Sequence, residues 1–439
     1  MPSLSHTAWS DFRQHADLST HNVTSMTAQP DLHRITVWFM AIAAALGTAA
    51  IYPLQPAIAD VAGGLDISIA QVGIALACGP IGYLSGLALL VPLVDRFAPK
   101  HVLAAQFGVL AAAMAANAAA GSLWMLALTI GVIGACSTVG AQLSSITARF
   151  SPDGRRATAL GIVTAGISAG IIGGRIAGGW LTETFGWRGG LLVFAVAFAV
   201  TALVVFRVLP GTAGSATGSY LATLRGLPGL YLRFRTLRLA ALRGALWFFA
   251  FCAVWAGLAV ALAQPPYAYS AERIGLYALA GLLGIVATRI AGVWTDRVGA
   301  RRVTAIGLVL AAVSASVLAG CLSNPVLTLV CLAVFDAGLF AAQVANQSTV
   351  LAIDPTAPAR FNSAYMVVYF VGGSLGTAFG TAAVGWLGWP ATAAVTAATI
   401  ALALLLSAAD RPETSTSPAA SGSPCTPDRQ PDAPAGTGR

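Results

Sequence analysis

One acidic side chain, Asp336, lies in the middle of a long apolar stretch, where a carboxyl group could bind and release a proton. Of the sixteen acidic residues in the chain, only Asp336 lies deep inside such a stretch. By helix rise it would lie roughly 15–17 Å from the nearer end of its helix, near the middle of a bilayer. An ionisable group at that depth should face a partner or a wet cavity. Two roles stay open, a proton-coupling or substrate-binding role and a purely structural ion pair.

Two arginines also lie within apolar stretches and are candidate partners of Asp336 or candidate substrate ligands. Arg175 would lie roughly 9 Å from the end of its helix, and its side chain of about 7 Å could reach toward Asp336. Arg289 lies roughly 10 Å from the opposite, basic side, where it could instead extend to the lipid headgroups. We expect Asp336 and Arg175 to be coupled, with Arg289 as the alternative partner.

The depths given for these three charged residues assume that their helices cross a membrane. The composition predicts such helices. With 57% hydrophobic and 9% charged residues, the chain lies far from soluble proteins, in which about a quarter of the residues are charged. Apolar stretches near the roughly 20 residues that a helix needs to cross a bilayer recur along the chain. Continuous rather than alternating apolarity favours helices over a barrel. We expect twelve spans, at 35–59, 69–94, 101–121, 123–148, 157–181, 189–207, 243–264, 273–294, 303–322, 325–351, 361–384 and 389–408.

The basic residues predict which side of the membrane each connection faces. Twenty of the 24 lysines and arginines lie in the termini or the even-numbered connections, and two, Arg188 and Arg273, lie in the odd ones. This asymmetry predicts a multi-pass protein of a cell membrane with both termini in the cytoplasm. The basic segment 207–243 is expected to lie on anionic lipid headgroups. The placement explains the net charge of +8 without a nucleic-acid partner.

Cysteine, histidine and nucleotide-binding patterns indicate neither an enzyme nor a cofactor. None of the six cysteines forms a CxxC pair, and all five histidines lie in the N-terminal tail or at the first cytoplasmic connection. An integral-membrane enzyme would need clustered His, Asp or Glu at a membrane boundary. The sequence also lacks the GxxxxGK[ST] loop that binds nucleotide phosphates. We expect no catalytic residues, no metal and no cofactor.

Landmarks recur across the basic segment and divide the chain into two halves. An Asp-Arg pair at 95–96 recurs at 296–297, and Gln142 recurs as Gln343, each 201 residues on. A parallel repeat of this kind places a substrate site near the midplane between the halves. The expected domains are a disordered tail 1–33, a six-helix bundle 34–207, a basic connection 208–242, a second six-helix bundle 243–408 and a disordered tail 409–439, with tails and connection in the cytoplasm.

The segment after the eighth span carries the most specific motif. It reads GVWTDRVGARR and matches the GxxxDRxGxRR loop that the major facilitator superfamily carries after its second and eighth helices. The chain resembles that superfamily, which implies an all-α membrane fold of twelve helices in two six-helix pseudo-repeat halves. The resemblance also implies a cytoplasmic latch that changes partners between states, the alternative being plain anchoring. The latch residues are Asp95 and Arg96 in a degraded first copy and Gly292, Asp296, Arg297, Gly299, Arg301 and Arg302 in the second.

Glycines in the fifth span resemble a motif of the drug:proton antiporter branch, G-x8-G-x3-GP-x2-GG, with Arg175 in place of the proline. Spans ten and eleven resemble a branch of bacterial exporters through Asp336-Ala337-Gly338, Asn346-Gln347 and Arg360-Phe361-Asn362, and this resemblance implies the inner membrane of a bacterium. By resemblance the glycine-bearing helices form the seam between the halves, and the alternative is tight packing within one half. The seam glycines are Gly161, Gly166, Gly170, Gly174, Gly178, Gly179, Gly372, Gly376 and Gly380.

The same resemblance implies a central cavity lined by spans one, four, seven and ten. The expected function is proton-coupled export of a small amphipathic organic compound by alternating access, carried out by a monomer that contacts membrane lipids. A uniporter or importer of the same fold and a non-transporting membrane sensor remain alternatives. For the aromatic side chains, interior packing is the alternative role. The candidate lining residues are Tyr52, Gln55, Gln142, Trp247, Phe248, Trp255, Gln343 and Asn346.

Overall fold

The computed structural model of the protein describes residues 33–152, 154–212, 227–354 and 358–409. Nearly all of the predicted tails, and residues 213–226 of the predicted central connection, lie outside these residues. Within them the chain forms helices, and nine of these helices are long and apolar enough to cross a membrane. Two of the nine are of double length, and a shorter apolar helix, Arg34–Ala49, precedes them. Together they account for twelve spans, numbered 1 to 12 in chain order.

The first half contains spans 1 to 6. Span 1 is interrupted between Ala49 and Ile58 by a turn that contains Pro53 and Pro56, because proline lacks the N–H that would continue the helical ladder. Ser68 and Gln71 begin span 2 with a reciprocal capping box, which satisfies backbone donors that a helix start leaves free. The helices are Arg34–Ala49 and Ile58–Leu65 (span 1), Ile69–Leu89 (span 2), Pro99–Ala118 (span 3), Leu123–Cys136 and Val139–Phe150 (span 4), and Arg156–Val208 (spans 5 and 6).

The second half contains spans 7 to 12 and is preceded by a short helix, Leu227–Arg233. Asn324 begins span 10 by accepting a hydrogen bond from the backbone of Leu327, with Pro325 at the first helical position, where its missing N–H costs nothing. The helices are Arg235–Ala263 (span 7), Ala271–Leu276 and Gly281–Val298 (span 8), Ala300–Leu318 (span 9), Pro325–Leu351 (span 10) and Pro358–Ala409 (spans 11 and 12).

Each double-length helix turns at one glycine in a left-handed conformation. Gly186 has φ 72° and ψ 162°, and Gly388 has φ 76° and ψ 166°. A residue with a Cβ adopts such a conformation at a cost, so glycine is required at both turns. A tryptophan follows each glycine, and the two turns are 202 residues apart. The two halves therefore repeat the same backbone device at corresponding positions.

The glycine stripe of span 5 packs against span 1, in the same half. A Cβ added at Gly170 would lie 2.2 Å from the carbonyl oxygen of Ala45, and one added at Gly174 would lie 2.6 Å from that of Ala49. Gly166 and Gly178 meet the span 1 backbone in the same way, whereas a Cβ at Gly161 would meet nothing within 4 Å. Only glycine permits this backbone-to-backbone approach.

Span 11 repeats this packing against span 7. A Cβ added at Gly372, Gly376 or Gly380 would lie 2.2–2.3 Å from a carbonyl oxygen of span 7. The stripes expected at the seam thus lie inside the halves, because they serve the close approach of neighbouring helices in one bundle. Gly179 is the exception, since a Cβ there would lie 2.3 Å from the carbonyl oxygen of Ala271 in the other half.

We predict that Gly170→Ala lowers the thermal unfolding midpoint, by an amount that corresponds to about 1–3 kcal/mol of overpacking. The control is Gly173→Ala in the same helix, where an added Cβ would meet nothing within 4 Å. Differential scanning calorimetry of the two purified variants measures their thermal unfolding midpoints. Equal stability of the two variants would show that the span 1–span 5 contact is looser than described.

The halves meet through spans 2 and 11 and through spans 5 and 8. The Ser374 hydroxyl donates to the Ala77 carbonyl oxygen at 2.6 Å, and a Cβ at Gly73 would overlap the side chain of Thr381. Gly179 lies against Ala271, as described above. These contacts lie toward the end of the bundle at which spans 2 and 8 begin, which we call the contact end. The opposite end bears the basic connections, and we call it the basic end.

Candidate functional site

A cavity of about 220 Å³ lies between the two halves and is lined by spans 1, 2, 5, 7, 10 and 11. Five of the predicted lining residues contribute to it, and Arg175 does so as well. No acidic residue of the described chain belongs to the lining, and Arg175 is its one charged member. The five predicted residues are Tyr52, Gln55, Trp247, Phe248 and Trp255.

Three predicted lining residues lie elsewhere among the described residues, where internal hydrogen bonds hold their amide groups. The side-chain nitrogen of Gln142 donates to the carbonyl oxygen of Leu90 at 2.7 Å, which ties span 4 to the end of span 2. Gln343 accepts a hydrogen bond of 2.5 Å from the Tyr365 hydroxyl. Buried amides are normally satisfied in this way, so a polar residue in a span need not face the cavity.

Asn346, the third of these residues, holds a buried arginine that the sequence assigned to the border of the basic connection. Arg243 is 5% exposed, and its Nε donates to Asn346 Oδ1 at 3.0 Å. The Asn346 side-chain nitrogen donates to the Ala240 carbonyl oxygen at 2.8 Å. The side chain thus joins spans 7 and 10 near the basic end and does not reach the cavity.

Arg175 is held at the cavity wall by two hydrogen bonds, one to Gln55 and one to the backbone of its own helix, and by two aromatic rings. It is 5% exposed, and its Nε donates to Gln55 Oε1 at 2.6 Å. Its guanidinium carbon lies 4.5 Å from the ring centroid of Tyr52 and 4.5 Å from that of Trp255. Cation–π contacts at this distance stabilise a charge that is withdrawn from water. The Arg175 side chain is therefore held by contacts from both span 1 and span 7.

Asp336 lies behind Trp255, outside the cavity lining. It is 2% exposed, and its Oδ1 accepts a hydrogen bond of 3.1 Å from Trp255 Nε1. No direct ion pair joins it to Arg175 among the described contacts, and the Trp255 indole contacts both charged groups. The titratable groups that face this Arg175–Trp255–Asp336 cluster from neighbouring spans are Tyr52 and Cys252.

The remaining predicted charges lie away from the cavity. Arg289 is exposed on span 8, and Asp95, Arg96, Asp296 and Arg297 are exposed at the basic end. Arg301 donates to the carbonyl oxygen of Ala408 at 3.0 Å. The described part of the chain contains no group of three or more His, Cys, Asp or Glu side chains that could hold a metal ion.

Further aromatic side chains of the cavity wall were missed from the sequence. Phe248 stacks on Tyr369, with ring centroids 4.0 Å apart, and Tyr83 lies 4.9 Å from Phe370. One signal could have found Phe251, because it is four residues from both Trp247 and Trp255 and so shares their helix face. Aromatic residues on spans 2 and 11 offered no comparable spacing. The missed lining residues include Tyr83, Phe251, Phe340, Tyr369 and Phe370.

Comparisons with known proteins are consistent across sequence and fold. The sequence profile of the Major Facilitator Superfamily matches residues 37–288 and 246–434. The chain is 30% identical to the "Uncharacterized transporter YgaY" of Escherichia coli O157:H7 over 376 residues, which cover 86% of this chain and 95% of that protein. It is 33% identical to the "Probable transporter SCO4007" of Streptomyces coelicolor over 375 residues, which cover 84% of this chain and 86% of the other.

Two solved structures share the fold at low sequence identity. The inward-facing, occupied structure of a bacterial homologue of the human lysosomal transporter Spinster superimposes with a TM-score of 0.71 at 15% identity, over 85% of this chain and 95% of that one. The nucleoside transporter NupG superimposes with a TM-score of 0.72 at 13% identity, over 85% and 99% of the two chains. At these identities the similarity concerns the arrangement of the helices alone.

Proposed function

The chain belongs to the major facilitator superfamily and is a membrane transporter of that type, and on this premise we propose that it moves a small amphipathic organic compound by proton-coupled alternating access. The observation that carries the proposal is the buried Arg175–Trp255–Asp336 cluster beside a cavity between the halves. A charge pair in this place is costly in lipid, which points to function. Asp336 acts as the proton-binding group, and the cavity residues contact the substrate.

Alternating access fits the way in which the spans pack. Each half is held together by glycine-to-carbonyl contacts, which favour its movement as one body. The backbone-level contacts between the halves, at Gly73, Ala77 and Gly179, lie toward the contact end. Rocking of one half against the other would open those contacts and close the basic end around the same cavity.

We propose export as the direction, on the resemblance of the span 5 glycines to the antiporter motif. An importer is the second candidate, and Arg175 favours it because this residue replaces the proline of that motif. In either case the protein acts as a monomer in a bacterial inner membrane, with lipid around the spans and basic residues near anionic headgroups.

Transport in proteoliposomes tests the proposal. Purified protein is reconstituted with a panel of labelled organic compounds, and an inward or outward pH gradient is imposed in parallel samples. We expect at least one compound to move faster than in protein-free vesicles, with a rate that changes when the gradient is reversed. Binding of compounds without movement under either gradient would instead indicate a sensor.

We predict that Asp296→Asn slows the transport cycle with less effect on substrate affinity. Asp296 lies at the basic end, at most about 25 Å of helix from the midplane, and its carboxylate is exposed in the described state. A latch there would form its bonds only in the other state, so the rate constant changes more than the binding constant. Counterflow rates and equilibrium binding measure the two quantities. Lost binding at an unchanged rate would contradict the latch.

We predict that cysteines introduced at Gly63 and Ser219 are labelled from opposite sides of the membrane, Gly63→Cys from outside and Ser219→Cys from the cytoplasm. Gly63 is exposed and has room for a side chain, while Ser219 lies outside the described residues. The background carries Cys425→Ser, since the native tail cysteine would otherwise react. Labelling of both by an impermeant maleimide in sealed vesicles of one orientation would disprove the proposed topology.

A further inference from the structure

Hydrogen-bond donors without an acceptor at the cavity wall indicate the charge of the transported compound. Arg175 donates through Nε to Gln55 and through one Nη to the carbonyl oxygen of Ile171 at 3.5 Å. Its second terminal nitrogen, Nη2, donates to no described residue. A guanidinium has five N–H donors and no acceptor, so a buried and incompletely satisfied one at a cavity wall calls for an acceptor from outside the chain.

Gln55 adds a second donor at the same place. Because arginine can only donate, the Gln55 atom that faces Arg175 Nε must be the oxygen, which fixes the orientation of the amide. The Gln55 side-chain nitrogen then carries two N–H groups, and no described residue accepts from them. Both residues line the cavity. Two neighbouring donor groups, one of them charged, match the two oxygens of a carboxylate.

The rest of the wall excludes a cation and favours a flat apolar body. No acidic residue of the described chain lines the cavity, so a cation would meet the Arg175 charge without a counter-ion in a medium of low dielectric. Nine of the 19 lining residues are aromatic and come from spans 1, 2, 7, 10 and 11, among them Tyr83, Trp247 and Phe251. The volume of about 220 Å³ lies below the roughly 300–1,000 Å³ of pockets for drug-sized ligands, so the occupant is compact.

We propose that the substrate is a small organic anion, a carboxylate with an aromatic or similarly flat apolar body, whose carboxylate is bound by Arg175 and Gln55. This inference rests on the proposed transport function and names its substrate class. It also predicts how the proton and substrate interact. The negative charge of ionised Asp336 opposes an anion near Arg175, and a proton on Asp336 removes that opposition, so proton and anion bind together and do not compete. Binding of this kind moves proton and anion in the same direction, so for an anionic substrate it favours the importer, the second candidate named above, over export by exchange with protons.

Binding to the full-length protein in nanodiscs tests this inference. The probes are matched sets that share one ring system: benzoate, benzamide and benzylamine, with the corresponding naphthalene, phenylacetyl and indolyl-acetyl sets. Calorimetry at one pH gives the dissociation constants. We expect at least one carboxylate to bind about tenfold or more tightly than its amide, with the amine weaker still, because only the anion satisfies the free donors.

Variants show whether the preference arises at the cavity. Arg175→Gln should make the carboxylate and its amide bind with equal affinity. Gln55→Leu should reduce the difference between their affinities. Arg175→Lys keeps a positive charge and serves as the folded reference, and it should retain part of that difference. The control is Arg207→Gln, an exposed arginine at the end of span 6, which should leave the preference unchanged. In Asp336→Asn protein the carboxylate affinity should no longer tighten as the pH is lowered.

The outcomes separate this inference from the proposed function. A panel in which no carboxylate binds more tightly than its amide, or in which the amines bind best, overturns the anion site. Transport of neutral compounds could then still stand. A carboxylate preference that depends on Arg175, without movement of the same compound in proteoliposomes, supports the anion site and contradicts the transport function.

Discussion

Asp336→Asn is expected to remove the pH dependence of transport. The substitution keeps the size of the side chain and an oxygen that can accept the hydrogen bond from Trp255 Nε1, observed at 3.1 Å. It removes the only described acidic group beside the cavity, so the variant can no longer bind a proton there. We expect transport driven by a pH gradient to fall by about tenfold or more, which corresponds to about 1.4 kcal/mol or more. Exchange of substrate without a gradient should be less affected.

The measurement uses proteoliposomes with an imposed pH gradient, and rates are normalised to folded protein. Asp66→Asn is the matched control, because Asp66 is exposed at the contact end and its left-handed φ of 53° is one that asparagine tolerates. If Asp336→Asn protein responds to the gradient as the parent does, Asp336 carries no coupled proton. Lost gradient response in both variants would point to a general effect of acidic residues.

Arg175 and Asp336 are expected to be energetically coupled, and Trp255 contacts both of them. Arg175→Gln leaves Asp336 without its nearest positive charge, and Asp336→Asn leaves Arg175 without its negative one. Stranding one member of a buried pair often costs about 3–5 kcal/mol. The double variant leaves neither charge without its partner. Its loss in free energy of unfolding should therefore be about 1–3 kcal/mol smaller than the sum of the losses in the two single variants. Its response to a pH gradient should nevertheless stay lost.

The double-mutant cycle compares the parent, the two single variants and the double variant. Thermal unfolding and expression level are measured for all four proteins. Trp255→Phe offers a sharper probe, since it keeps a ring beneath the guanidinium and removes the N–H that Asp336 accepts; the coupling should shrink in that background. Additive single effects would mean that the two charges do not interact. A parallel cycle with Arg289→Gln tests the alternative partner, and its exposure on span 8 leads us to expect additivity there.

The fold could be predicted almost completely from apolar stretches, glycines and basic connections. Helix ends were harder, because the chain turns at a single residue between two helices at Gly186 and at Gly388. The glycine stripes show a different limit. Their spacing predicts that another backbone approaches closely, but it does not say which helix provides that backbone, and span 1 and span 7 provide it here.

Of the three charges predicted for the site, Arg175 lines the cavity, Asp336 lies against Trp255 outside the lining, and Arg289 is exposed elsewhere on span 8. Asp336 and Arg175 were found because a charge in lipid is costly wherever the fold places it. An amide such as Gln142 or Asn346 can be satisfied by any nearby carbonyl oxygen or arginine, so its presence in a span says little about the cavity. The contacts of the Trp255 indole with both charged groups could not be predicted from sequence, since they depend on how three spans converge.

The matching turns at Gly186 and Gly388 also bear on the history of the protein. Gly174 and Gly376 occupy corresponding places in the two halves, and the next residues are Arg175 in one and Thr377 in the other. By the offset that relates Gln142 to Gln343, the counterpart of Asp336 is Ala135. If the halves descend from one duplicated gene, an ancestor with identical halves would have carried these charges twice or not at all. The single pair then arose by divergence of the two halves after the duplication.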